Sequence, residues 1–135
     1  MHYMKYLFIS LLTLMLGCTK EKDDSIVLNQ SFSMKKGTKA CTADNEVCIQ
    51  FEKVAGDSRC PLRAMCIWEG VAEANFILTY KNVDYPFTLH TLDKLQYSSD
   101  TVLQGYTIKL EQLSPYPEGG SIDHKEYVAQ LKVSK

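Results

Sequence analysis

The stretch that decides the fold is Cys66-Ile67-Trp68-Glu69-Gly70-Val71-Ala72-Glu73-Ala74-Asn75-Phe76-Ile77-Leu78-Thr79-Tyr80, then Lys81-Asn82, then Val83-Asp84-Tyr85-Pro86-Phe87-Thr88-Leu89-His90-Thr91. Trp68, Gly70, Ala72, Ala74, Phe76, Leu78 and Tyr80 share one face, and Glu69, Glu73, Asn75 and Thr79 lie among those on the other. A period of two marks a strand with one buried side, because successive side chains of a pleat point in opposite directions. Lys81-Asn82 makes a tight connection, and the chain returns with Tyr85, Phe87 and Leu89 alternating. The pair predicts a β-hairpin. Pro86 has no N–H for a ladder, which places the second strand at a sheet edge or at the start of its pairing. Gly70 predicts a bend or bulge in so long a first strand.

Working outward, residues 26–32 predict a first strand, and 34–41 a polar connection. Residues 46–54 alternate, with Val47, Ile49 and Phe51 on one face and Cys48, Gln50 and Glu52 on the wetter one. Residues 92–100 are polar and are read as a connection with a turn of helix. Residues 101–113 predict a strand region with Tyr106, Ile108 and Leu110 on one face, interrupted at Gly105. A loop with Pro115, Pro117, Gly119 and Gly120 follows, and Tyr127, Ala129, Leu131 and Val133 form a last strand. Six or seven short strands and no internal repeat predict an all-β fold over residues 26–135. The expected architecture is a single antiparallel β-sandwich or partly open barrel.

The N-terminus has its own logic. Lys5 precedes an apolar run from Leu7 to Leu16, too short to span a bilayer as a helix, and Gly17-Cys18 closes it. This arrangement resembles a bacterial lipoprotein signal, with residues 1–17 removed and Cys18 lipidated. The resemblance implies an outer-membrane protein anchored through its N-terminal lipid. Residues 18–25 are polar and read as a flexible tether. Within them Lys22-Asp23-Asp24 is similar to the acidic clusters that sort some lipoproteins to the cell surface.

Lipidation of Cys18 would leave four of the five cysteines: Cys41, Cys48, Cys60 and Cys66. An even count in an oxidising compartment reads as two disulfides. Three pairings are open, and the local ones, Cys41–Cys48 and Cys60–Cys66, are favoured. Each small loop contributes about 2–3 kcal/mol by restricting the unfolded chain. A four-cysteine zinc site is the rival, but its ligands usually come in pairs closer than these.

Residues 57–70 contain Asp57-Ser58-Arg59-Cys60-Pro61 and Cys66-Ile67-Trp68-Glu69-Gly70. They resemble a motif of small bacterial lipoproteins of unknown function: Asp-Ser-Arg-Cys-Pro, a variable stretch, then Cys-x-Trp-x-Gly opening a strand. Leu113-Ser114-Pro115-Tyr116-Pro117 is similar to a late Leu-x-Pro-x-Pro in the same group. The resemblance covers most of residues 46–133 in order, and only its cysteine segment is specific. It implies an all-β secreted domain with Cys60 paired to Cys66, and no particular activity. Cys41 and Cys48 lie outside the motif.

Composition and motifs narrow the function. The chain carries 15 basic and 16 acidic side chains, so no basic footprint for nucleic acid is present. His90 and His124 fit no metal pattern. Ser121, Asp123 and His124 crowd one loop and lack the separate supports of a catalytic triad. Gly119-Gly120 follows a proline turn, not a strand leading to a helix, so no phosphate loop is indicated. No catalytic residue, metal or cofactor is expected.

The expected function is a non-enzymatic, membrane-anchored binding domain for a protein or glycan partner. Arg59, Trp68 and Tyr116 are its candidate contacts. Arg59 has other expected partners in Asp57, Glu69 or a carbonyl. For Trp68 the simpler role is packing over the disulfide to plug the core, and for Tyr116 it is packing of its turn. The alternative function is inhibition of a secreted hydrolase by the Cys60–Cys66 loop, with Arg63 at its tip beside Leu62, Ala64 and Met65.

Overall fold

The predicted hairpin lies within one sheet of a two-sheet β structure in the computed structural model, which describes residues 25–119 and 126–135. Cys18, Lys22-Asp23-Asp24, Ser121, Asp123 and His124 lie outside the described residues. Nine strands run in order among those described: β1 (Ser25–Ile26), β2 (Ser31–Lys35), β3 (Lys39–Thr42), β4 (Val47–Asp57), β5 (Ala72–Tyr80), β6 (Val83–His90), β7 (Asp100–Leu103), β8 (Tyr106–Ser114) and β9 (Val128–Ser134). One sheet has the order β1-β3-β4-β5-β6, and the other β2-β9-β8-β7. All pairings are antiparallel except the short β1–β3 contact.

The core comes from alternate residues of both sheets. Val47, Ile49, Phe51, Phe76 and Leu78 of one face Ile108, Leu131 and Val133 of the other, all fully buried. Phe51 and Phe76 stack at 4.8 Å between ring centroids, a cross-strand aromatic pair on the core face. β6 is an edge strand, and Pro86 sits opposite Ile77 within it, as a residue without an N–H requires. Lys81 and Asn82 both take left-handed backbone angles, φ 50° and 62°, the geometry of a two-residue hairpin turn.

Four sequence expectations are corrected. The predicted strand over 26–32 is two strands in different sheets, because Asn29 turns left-handed (φ 66°) and its N–H donates to the Val133 carbonyl at 2.7 Å. The predicted connection over 34–41 contains the end of β2 and most of β3, with Met34 and Ala40 in the core. Residues 92–99 form no helical turn. Leu95 adopts φ 55° and Lys94 bridges to Tyr97. β5 begins at Ala72, so residues 66–70 do not extend it.

The two disulfides are Cys41–Cys48 and Cys60–Cys66, which removes zinc as a reading of these thiols. Cys41 and Cys48 face each other directly across β3 and β4. Cys48 points away from the core and is nonetheless buried, beneath its own bridge.

Candidate functional site

β4 carries the chain away from the Cys41–Cys48 bridge and ends at Asp57. Ten residue steps at roughly 3.3 Å each separate Val47 from Asp57, about 33 Å. Ser25 pairs with Cys41, so the polypeptide enters the domain at the opposite end from Asp57. Beyond Asp57 the ladder continues irregularly. Ser58 N–H donates to the Val71 carbonyl at 2.9 Å, and Cys60 N–H to the Glu69 carbonyl at 2.8 Å. Residues 61–68 are therefore an excursion closed at its base by these bonds and by the Cys60–Cys66 bridge.

A buried ion pair anchors this corner. The Arg59 and Asp57 side chains are 5% and 4% exposed. Arg59 Nε donates to Asp57 Oδ1 at 2.8 Å and Nη2 to Oδ2 at 2.6 Å, a bidentate fork. Arg59 Nη1 donates to the Leu113 carbonyl at 2.7 Å, and Nη2 to that of Pro115 at 2.8 Å. The Tyr127 hydroxyl donates to Asp57 Oδ2 at 2.9 Å. One guanidinium thus ties the end of β4 to the end of β8, while the carboxylate it grips reaches the residue before β9. Burial alone would push the Asp57 carboxyl up, but the bonds from Arg59 and Tyr127 and the Arg59 charge outweigh it and hold it below the usual carboxylate range. Burial, then the bond and charge of Asp57, push the Tyr127 phenol up to about 12.

Of the two roles expected for Arg59, the structure shows the internal one: it pairs with Asp57 and with carbonyls and is buried. Its charge is neutralised by Asp57, and two carbonyls take further donors. Tyr116 stacks over the guanidinium with 4.8 Å from the carbon to the ring centroid, and remains 42% exposed. Two of the three segments that carry the sequence resemblance, 57–61 and 113–117, meet through this one side chain.

Trp68 does not plug the core. It is 52% exposed and stacks on Tyr97 at 6.5 Å, and Tyr97 leans on His90 at 5.2 Å. The reason is that the strand starts at Ala72, six residues later than the alternation suggests, leaving Trp68 outside the sheet. Lys94 pairs with Glu69, which ties the turn at 94–97 to the same loop. Arg63 is exposed at the loop tip.

The described residues leave nine large hydrophobic side chains exposed, and six of them gather at this end: Leu62, Met65, Ile67, Trp68, Leu95 and Tyr116. Ile67 and Leu95 were not anticipated as contacts, because alternation assigned one to a strand and treated the other as linker. A cleft of about 390 Å³ opens beside them, lined by Arg59, Glu69, Glu111, Gln112, Ser114 and Tyr116 among others. Glu111 and Gln112 sit at a bulge where β8 shifts register against β9. The sequence held a signal for it. Tyr106, Ile108 and Leu110 keep one phase, and the next buried residue is Leu113 rather than Gln112.

With this geometry in hand, comparison with protein-family models, with curated proteins and with solved structures finds no match.

Proposed function

We propose that this protein is a lipid-anchored lipoprotein of the bacterial outer membrane, attached through Cys18, whose β domain is a non-enzymatic binding module for a protein partner. The observation that carries the reading is the gathering of exposed apolar side chains on a loop held rigid by a disulfide. Contiguous exposed apolar surface marks interaction sites, and a pre-ordered loop loses little conformational freedom on docking. Anchorage fits the same reading. The chain enters at the Cys41 end, so an anchor at Cys18 would leave the loop at the other end of β4 clear of the point of attachment. Lys22-Asp23-Asp24, as a sorting signal, would put that loop outside the cell.

A photo-crosslinking amino acid at Ile67 or Leu95 in living cells is expected to give one discrete adduct. The same group at Val83, exposed near the Cys41 end, is expected to give none. Equal adducts at all three positions, or none at any, would refute the reading. Protease added to intact cells should remove the domain if it is surface-exposed.

One observation favours the more particular alternative, inhibition of a secreted hydrolase. Arg63 stands exposed between Leu62 and Met65 within the disulfide-closed loop. The chain is then expected to slow a trypsin-like protease at sub-micromolar concentration, and Arg63→Ala to abolish the effect. No slowing across a panel of secreted hydrolases eliminates this alternative.

A further inference from the structure

We propose that the cleft beside Arg59 is a binding site for a neutral saccharide. It is a separate site from the apolar loop, because Leu62, Met65, Ile67 and Trp68 do not line it. Its volume, about 390 Å³, lies in the range of small-ligand pockets.

Tyr116 supplies a platform. Pro115 and Pro117 restrict the backbone on both sides of it, and the Arg59 guanidinium covers one ring face. The residue lines the cleft and stays 42% exposed, so part of it is open to a ligand there. A π face is electronegative and attracts the slightly positive C–H groups that line one side of a pyranose ring.

The remaining lining matches a ligand rich in hydroxyl groups. Glu111 and Gln112 are both exposed and both line the cleft. The bulge explains how two consecutive residues do so, since an extra residue re-aims the side chains of its strand. Gln112 Nε2 donates to Ser114 Oγ at 3.3 Å, which orients the amide with its oxygen free to accept. Glu69 lines the wall with its charge met by Lys94. Sugar hydroxyls can donate to these oxygens and accept from the amide.

Charge disfavours anionic ligands. Arg59 is the only basic residue among the described residues that line the cleft, and Asp57 neutralises it. Glu69 and Glu111 are the other charged residues in the lining, and this negative balance disfavours uronates and phosphates. A cationic ligand is disfavoured at Tyr116, because a guanidinium already draws on that ring.

The test is native affinity electrophoresis of the full chain in mild detergent, through gels containing amylopectin, yeast mannan, xyloglucan or mixed-linkage β-glucan. Polygalacturonate serves as the anionic comparison and spermidine as a cationic competitor. At least one neutral polysaccharide is expected to retard the protein. Tyr116→Ala and Glu111→Gln should each weaken that retardation by roughly tenfold or more, the usual weight of a stacking contact or a hydrogen bond to a charged group. Tyr116→Phe should keep it, and Ile67→Ser should leave it unchanged. Glu111 is on the surface, so its variant tests the site even if Tyr116→Ala fails to fold. Absence of retardation by every neutral polymer overturns the proposal. So does retention of full retardation in Glu111→Gln, stronger retardation by polygalacturonate, or complete displacement by spermidine.

Discussion

Replacing Arg59 by alanine is expected to lower folding stability by about 3–5 kcal/mol, the cost of breaking a buried ion pair from one side. Three groups lose partners at once. Asp57 keeps its charge in a site 4% exposed, and the carbonyls of Leu113 and Pro115 lose donors at 2.7 and 2.8 Å. Lysine does not rescue the site, because a single ammonium cannot match a planar fork that meets both carboxylate oxygens and two carbonyls. Denaturant unfolding with both disulfides intact measures the loss. A change below about 1 kcal/mol, the scale of an exposed salt bridge, would show that the pair is not structural. Replacing Asp57 and Arg59 together by apolar residues is expected to cost less than Arg59→Ala alone, since no lone charge is left buried.

The same pair sets a pH signature. In the unfolded chain a carboxyl takes its proton near pH 4. Asp57 is held lower when folded, so the unfolded state binds more protons there. Its contribution is complete above about pH 4 and is lost as pH falls through the lowered folded value. Tyr127 acts at the other extreme. Its phenol ionises near 10 when unfolded and at about 12 when folded, so its contribution is present below pH 10 and lost as pH rises to 12. In Arg59→Ala the acid behaviour weakens. With the cation gone, burial is opposed only by the Tyr127 bond and the residue 59 N–H, and the variant's deficit should shrink as the pH is lowered. Unfolding curves of both proteins between pH 3 and pH 7 decide this, and a deficit that grows in acid would contradict the electrostatic account.

How much of this was legible in the residues depends on how local each feature is. The hairpin of β5 and β6 was readable because alternation, a tight two-residue connection and an edge proline all lie within twenty-odd consecutive positions. Both disulfides were readable for the same reason, their partners lying seven and six positions apart. The division into two sheets was not. Ser31 pairs with Lys132, and no periodicity within either segment names a partner a hundred residues away. Alternation also misleads when its phase slips. Phe51 and Val54 are separated by a bulge in β4, as Leu110 and Leu113 are in β8, and read as strict alternation each slip looks like a strand ending. The clamp was half visible. Asp57 was among the possible partners of Arg59, but Tyr127 and the two carbonyl acceptors depend on where β8 and β9 finish.

Gly70 makes the sharpest steric case. It adopts φ +71°, where an L side chain is strained, and a Cβ built on it falls 1.8 Å from the Ser58 carbonyl oxygen and 2.8 Å from the Arg59 Cα. Both neighbours are backbone, so no rotamer change relieves the overlap. Accommodation must pull residues 58–60 from 69–71, breaking the Ser58 N–H to Val71 and Cys60 N–H to Glu69 bonds and displacing the residue that carries the clamp. Gly70→Ala is therefore expected to lose more than about 3 kcal/mol, in the range that single substitutions reach only through a specific structural fault. Gly105 separates the two causes. It has φ +81° and nothing within 4 Å of its added Cβ, so Gly105→Ala meets only the backbone penalty, about 1–2 kcal/mol. Asparagine sharpens the comparison, since this chain already holds Asn29, Asn45 and Asn82 at positive φ. Gly105→Asn should be close to neutral, while Gly70→Asn should be as damaging as alanine, because relieving the backbone preference does nothing for the clash. Thermal unfolding of the four variants tests this. If Gly70→Asn recovers the stability that alanine loses, the close approach of residues 58–59 to Gly70 is not what holds the corner.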